Sequence, residues 1–507
     1  MAESLRQKVF SGTLWMVFMS GGQQVLSFLV QLVLARLLVP HDYGVAAIVM
    51  TIGGLASVFA SAGVSTAIVQ RKEILTGLVD AVAWTTLGVA LLLGGILVGS
   101  SSLFASYYHE PSLVFLLRLV SVDVVLKVVL SLYDSLMLRR MLYRALSVRT
   151  VIGLVFQSVV SIYLANKGYG PKALVFGYVV GTATQLLLCV WATRYIPSSS
   201  GDWNGVGDLF KFGFWVLLGR FANQLAMTLD QLVIARVLNT ATLGLVNVSK
   251  QLTGIVPSAF MGVIGRVSLP VFSRWQDDIG RIEESYWRGL RLNMMIIFPL
   301  CAEMGLFAHQ MLAVMYGSKW IQAVDLMRVF SFVVAMETID AGYTGAVLNA
   351  TGRPRCIAFI MVLSLPILPL CVWVGSRWGA MGIAWSLLSY AILFFLINQL
   401  VLRSQLKFSF RAFPASFLRA SLSLLPMLLV GRLLVRVGFL PVMEPPAVLS
   451  KDWFLLGTRL AGSCIACLLA YVLTIRCTMK NDFIFLNEGL KGIVHRRKNQ
   501  GGNHGEG

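Results

Sequence analysis

The segments Gln31-Leu32-Val33-Leu34-Ala35-Arg36-Leu37-Leu38 and Gln231-Leu232-Val233-Ile234-Ala235-Arg236-Val237-Leu238 are near-copies, set 200 positions apart. Six residues beyond each copy stands a glycine, Gly44 or Gly244. The ungapped match reaches back to Trp15 and Trp215 and includes Gln24 with Gln224 and Leu29 with Leu229. Ten of the 30 positions from Trp15 to Gly44 are identical to their partners. Apolar composition accounts for a few of these matches, but it does not align a Trp, a Gln and an Arg. A duplicated helix unit constrains the fold to two related halves, the organisation of many transporters. A polytopic enzyme has no such general need.

The 507 residues are 57% hydrophobic and 13% charged, with a mean hydropathy of +0.77. A soluble protein of this composition would expose far too much apolar surface. Apolar stretches of about 20 residues recur along the chain, as a bilayer core of about 30 Å requires. The chain is therefore an integral α-helical membrane protein. Its formal charge of +19 sits in short clusters between apolar spans. This pattern marks loops held on the cytoplasmic side rather than a nucleic-acid surface, and no nucleic-acid partner is expected. Cys464 and Cys467 have a CxxC spacing but lie in an apolar run without His or carboxylate beside them. They read as small packing residues. Met1 to Phe10 leads into a span without a small-residue cleavage site, so the first helix is expected to be retained.

About fourteen spans of membrane length can be placed, near 12–38, 43–67, 78–104, 112–137, 148–166, 173–195, 210–238, 243–267, 288–315, 324–349, 356–376, 380–403, 414–437 and 454–476. Loop charge supports the topology. Arg71-Lys72, Arg139-Arg140, Arg353 with Arg355, Arg403, Lys407, Arg411 and the tail Arg496-Arg497-Lys498 fall on one side, while Ser106 to Pro111 holds no Lys or Arg. Both termini are expected in the cytoplasm. The two copies then enter the bilayer in the same direction, as parallel repeats. The expected architecture is all-α and polytopic. Residues 1–208 form an N-terminal six-helix lobe and linker, 209–410 a C-terminal six-helix lobe, and 411–507 two more helices and a basic cytoplasmic tail. The linker is Pro197-Ser198-Ser199-Ser200-Gly201-Asp202. Ser268 to Arg288, of mixed charge, reads as a short amphipathic surface helix.

Polar residues inside spans are costly and usually face an interior cavity. Arg220, Gln224, Thr228 and Gln231 fall on one side of span seven, with Asn223 and Asp230 on an adjoining strip. Span one offers Ser20, Gln24, Phe28 and Gln31 at the matching positions. A polar stripe in both copies points to a shared cavity, although such stripes also bind helices together. Arg220 and Lys250 are the candidates for meeting a phosphate, as a donor fork and a compact charge. Arg36 and Arg236 end their spans near the far side, where they either reach headgroups or guard the exit of an anionic substrate. Asp123, Lys127 and Asp134 share one face of span four and read as an internal salt-bridge ladder. Asp123, Asp230, Glu303, Glu337 and Asp340 are the ion-coupling candidates, Glu337 and Asp340 standing at i,i+3 where two carboxylates would resist double ionisation.

No catalytic constellation appears. His41, His109, His309, His495 and His504 are scattered, and HExxH, GxSxG and Walker A patterns are missing from the sequence. Neither a metal nor a cofactor is expected. A lipid-linked glycosyltransferase would be expected to carry acidic residues in an early outer loop, where Val39 to Gly44 has one Asp. A polymerase or ligase typically carries a large outer loop, which this chain lacks.

Leu34-Ala35-Arg36-Leu37-Leu38-Val39-Pro40-His41-Asp42-Tyr43-Gly44 resembles a signature of bacterial polysaccharide flippases, the Wzx-like branch of the MOP exporter superfamily. Gly63 to Glu73, Ser268 to Arg274, Tyr316 to Trp320 and Leu348 to Arg355 are similar to later segments of the same family, so the resemblance spans about residues 10–400. It implies a MATE-like fold and outward transport of an undecaprenyl-pyrophosphate-linked oligosaccharide across the bacterial inner membrane by alternating access. It further implies membrane lipids, a polysaccharide polymerase and chain-length machinery as partners. The family offers no functional-residue motif to transfer position by position, so the site residues above rest on physical grounds. A cation-coupled small-molecule exporter is the alternative of the same architecture, and a polysaccharide polymerase or ligase the enzymatic one.

Overall fold

The computed structural model describes residues 2–61, 76–198, 206–340, 342–440, 451–480, 482 and 484. The motif Gly63 to Glu73, most of the linker after Ser198 and the basic tail lie outside these residues. Among the described residues the secondary structure is helical, with no strand. In lipid this follows from the backbone, whose polar groups must be satisfied within each segment. Eight stretches among the described residues are long and apolar enough to cross a bilayer, and the longest, Pro354–Leu406, contains two helices. Two compact units, Met1–Asn247 and Val248–Gly507, divide the chain.

The first unit holds α1 (Ala2–Leu37), α2 (Pro40–Ser61), α3 (Thr76–Tyr108), α4 (Ser112–Arg139), α5 (Tyr143–Asn166), α6 (Pro171–Thr193), α7 (Val206–Val237) and the start of α8 (Thr240–Ser273). Small residues let its helices approach closely. A Cβ on Gly177 of α6 would strike the Ser161 hydroxyl of α5, and one on Gly181 would meet Gln157. On α3, Leu91, Leu92 and Ile96 are 58%, 64% and 56% exposed, an outer face suited only to lipid. Long helices rich in charge, such as α4 with Arg118, Asp123, Lys127 and Asp134, fall outside the eight apolar stretches. There Asp123 is buried, pairs with Lys127 at 2.6 Å and accepts from the Thr182 hydroxyl of α6 at 2.6 Å. Asp134 does not extend that ladder; it turns to Arg149 of α5. Beyond α6, the Tyr195 hydroxyl donates to Asp80 at 2.5 Å. Burial, and then the Asp80 carboxylate, push this phenol well up, which keeps it the donor.

The second unit holds the rest of α8 and then α9 (Ile279–Leu306), α10 (Ala308–Met315), α11 (Val324–Asp340), α12 (Tyr343–Ala350), α13 (Pro354–Gly375), α14 (Gly379–Leu406), α15 (Ala412–Leu422), α16 (Leu425–Arg436) and α17 (Lys451–Thr478). Its core gathers around α9. Trp287 packs on Phe410 and Phe413, and Phe298 on Phe417. The last helices dock on the same core: the Tyr471 hydroxyl donates to the Met295 carbonyl at 3.0 Å, and the Trp453 indole to the Val314 carbonyl at 2.8 Å. Cys464 and Cys467 are free thiols in this packing, and a Cβ on Gly431 of α16 would press on Leu306 and Cys467.

Several expected spans are interrupted. Span thirteen becomes α15 and α16, because Pro426 in the first turn of α16 has no N–H to continue the preceding helix. Span ten divides after Asp340 into α11 and α12, with Gly342 left-handed at φ 82°. The surface helix expected over Ser268 to Arg288 is not formed. Instead α8 runs on to Ser273, and Asp278 caps α9 by accepting the Arg281 N–H at 3.1 Å. The mixed charges therefore belong to the turn between two long helices and the first turns of α9.

Candidate functional site

The two repeat copies meet within the first unit. Each copy ends a long helix, α1 or α7, and a one-step turn starts the next, α2 or α8. A helix start leaves orphan N–H groups, and the copies satisfy them with different atoms. In the first, Pro40 supplies a first-turn residue with no N–H, and the Asp42 carboxylate accepts the Val39 N–H at 3.1 Å. In the second, the Asn239 side chain accepts the Thr242 N–H at 2.7 Å.

Gly44 and Gly244 lie where these two starts cross. A Cβ on Gly44 would fall on the Thr240 carbonyl, and one on Gly244 on the Pro40 carbonyl. The relation is reciprocal, as expected of two related segments about a local two-fold. Only glycine permits this approach of main chains. Glu110, in the turn between α3 and α4, ties the crossing from the side. Its Oε1 lies 2.9 Å from His41 Nε2 and accepts the Thr240 hydroxyl at 2.8 Å. The Arg236 guanidinium sits 4.9 Å from the centre of the Tyr107 ring. Thr51 of α2 donates to Gln231 Oε1 at 2.8 Å, a direct hydrogen bond between α2 and α7.

The other sequence candidates divide by surroundings. Arg220 and Gln24 are exposed, Gln224 and Arg36 half-buried, and Asp230 buried. Thr228 spends its hydroxyl on the Gln224 carbonyl one turn back. Gln31 is half-buried, and its Nε2 has no hydrogen-bond partner among the described residues, unlike the amide of Gln231. Lys250, half-buried, belongs to the second unit.

In the second unit Asp340 and Glu337 face different surroundings: Glu337 is exposed and Asp340 is 7% exposed. At the break after α11, Asp340 Oδ1 accepts the Thr344 N–H at 3.0 Å and the Tyr286 hydroxyl at 3.4 Å, while Oδ2 accepts Asn398 Nδ2 at 2.9 Å. Gln399 donates to the Tyr286 oxygen at 2.6 Å, and Asn293 donates to the Thr338 and Ile339 carbonyls. Asp340 thus serves as the cap of α12 inside a buried polar network. Glu303 is buried on α9 facing the last helices, and its Oε1 has no hydrogen-bond partner among the described residues. No group of His, Cys, Asp and Glu able to hold a metal occurs among the described residues.

Sequence reasoning missed Glu110, His41, Thr240 and Thr51, along with the ring of Tyr286, Asn398 and Gln399 around Asp340. Its usable signals were a His at the start of α2 and a Glu in the short turn before α4, and an Asn immediately before Thr240.

The family described as polysaccharide biosynthesis protein matches residues 33–325. The chain is 23% identical over 408 residues to the lipopolysaccharide biosynthesis protein WzxC of Escherichia coli (strain K12), covering 79% of this chain and 82% of that one. It is 25% identical over 312 residues to the succinoglycan biosynthesis transport protein ExoT of Rhizobium meliloti (strain 1021), covering 61% and 63%. Its fold matches the lipid II flippase MurJ in an inward closed conformation with a TM-score of 0.70 at 13% identity, over 92% of this chain and 99% of that one.

Proposed function

The chain belongs to the polysaccharide biosynthesis protein family, and from that premise we propose that it flips lipid-linked oligosaccharide units across the inner membrane for extracellular polysaccharide synthesis. The family match carries this reading, supported by a fold that follows a lipid II flippase along nearly its whole length. Relatives named for polysaccharide synthesis and transport point the same way.

In this reading the two copies are the first helices of two parallel lobes, and their crossing at Gly44 and Gly244 is the outer gate in its shut state. A pyrophosphate moving unaided through hydrocarbon would face a prohibitive desolvation cost. Arg220 and Lys250 offset it with charge, and Gln24, Gln31, Gln224 and Gln231 supply amides to the sugars. Arg36 and Arg236 stand at the exit. Asp123 is a weak coupling group because Lys127 already neutralises it. Asp230, Glu303, Glu337 and Asp340 remain the candidates for the driving ion, with both termini in the cytoplasm and the prenyl tail outside in lipid. A polymerase and chain-length machinery receive the product. Deleting the gene should trap lipid-linked repeat units on the cytoplasmic leaflet, scored by their resistance to an externally added glycosidase. Normal outward-facing intermediates in the deletion strain would refute the reading.

A further inference from the structure

At one end of the second unit, a cavity of about 590 Å³ opens between the start of α9, α15 and the end of α17. Arg288, Arg291, Arg419 and Lys480 line it together with Thr478 and one carboxylate, Asp482. Asp482 is engaged by Arg291 Nε at 3.1 Å, and Arg288 reaches out to Glu284 at 2.9 Å. Arg419 and Lys480, both exposed, have no carboxylate within ion-pairing distance among the described residues. The cavity therefore carries an excess of positive charge, in a volume typical of a small-ligand site.

Its walls continue as hydrocarbon. Leu422 follows Arg419 by three positions, and Leu473 precedes Cys477 of the cavity lining by four. Each is thus one helical turn deeper on the same face. Leu422, Leu473 and Leu469 are 49%, 64% and 59% exposed. The Ser423 and Thr478 hydroxyls, 2.7 Å apart, tie the two helices together just below the cations. A cationic recess above an exposed aliphatic furrow complements one kind of molecule, with a phosphate at its head and acyl or prenyl chains below. Loop charge assigns this end to the cytoplasmic side, and basic recesses there are suited to anionic headgroups.

We propose that this recess binds the phosphate headgroup of a lipid from the cytoplasmic leaflet. Arg419 and Lys480 hold the phosphate oxygens, and the Leu422 and Leu473 furrow takes the chains. The proposal stands independently of what the protein transports. Phosphatidylglycerol titrated into the detergent-purified full chain, with bound lipid read by native mass spectrometry, should occupy a site weakened about tenfold or more by Arg419→Gln with Lys480→Gln. Arg436→Gln, exposed at the far end of α16, should leave that site intact. Wild-type affinity in the double variant, or phosphatidylcholine bound as tightly as phosphatidylglycerol, overturns the proposal. Two competitors identify the source. Displacement by a polyprenyl pyrophosphate well below the phosphatidylglycerol concentration supports the site with the carrier lipid as its occupant, while failure to displace supports bulk phospholipid. Inorganic phosphate displacing as readily as either lipid overturns the assignment to a lipid.

Discussion

The first and second copies of the repeat follow one backbone path with different side chains. At the crossing both keep glycine, and each would clash with the other's carbonyl if it gained a Cβ. One step away they diverge: Pro40 and Asp42 start α2, whereas Asn239 starts α8. Back along the helices the sequences agree again, with six of the eight positions from Gln31 to Leu38 identical, but the surroundings do not. Gln231 receives the Thr51 hydroxyl, while the Gln31 amide nitrogen has no hydrogen-bond partner among the described residues. The first copy has Ser20 and Val30 where the second has Arg220 and Asp230. The two copies thus share the glycines through which they pack on each other, while identical side chains such as Gln31 and Gln231 meet different surroundings.

Substitutions can break this comparison at each level. The largest effect should come from Gly44→Val or Gly244→Val. Overpacking costs about 1–3 kcal/mol, and here it would fall on the crossed state. Polysaccharide export should drop about tenfold or more in either variant, measured against membrane-inserted protein. If one glycine tolerates valine and the other does not, the crossing is not reciprocal. Next is Arg220→Ser, which gives the second copy the residue of the first. Charge-assisted hydrogen bonds contribute about 1.5–3 kcal/mol, so export should fall at least severalfold with normal protein levels. Lys250→Ala should behave alike, and unchanged output from both would remove them from the site. Gln231→Leu should have a smaller effect, since stranding the Thr51 hydroxyl costs about 1–3 kcal/mol, read as a lower melting temperature of purified protein. Gln24→Leu, at an exposed position, should leave that temperature unchanged. The smallest effect belongs to the caps: Asn239→Ala should cost about 1 kcal/mol in the same assay, and Asp42→Ala less, because Pro40 still fixes the start of its helix.

Much of the framework was legible because lipid imposes long apolar runs and because an Arg, a Gln and a Trp recur at one spacing. The Asp123–Lys127 pair was legible too, since i,i+4 geometry is local. The rest needed distance in three dimensions. Glu110 joins partners 69 and 130 positions away, and no periodicity announces such a contact. Asp340 looked like half of a carboxylate pair with Glu337. A break in the helix, invisible to hydropathy, turns it into a cap and points it toward Asn398 and Tyr286. The charges of Ser268 to Arg288 suggested a separate surface helix. They actually surround a turn fixed by one aspartate, because a long helix can carry its charged first turns beyond the apolar layer.

The crossing of Gly44 and Gly244 also bears on leakiness. Side-chain plugs can swing aside or leave gaps that a file of water molecules fills, and such a file conducts protons. Two main chains pressed together without intervening side chains leave no such file at that point. A carrier with a passage roomy enough for a sugar chain would otherwise short-circuit the energised membrane each time it reset. At this contact two hydrogen atoms stand where two methyl groups would otherwise force the main chains apart.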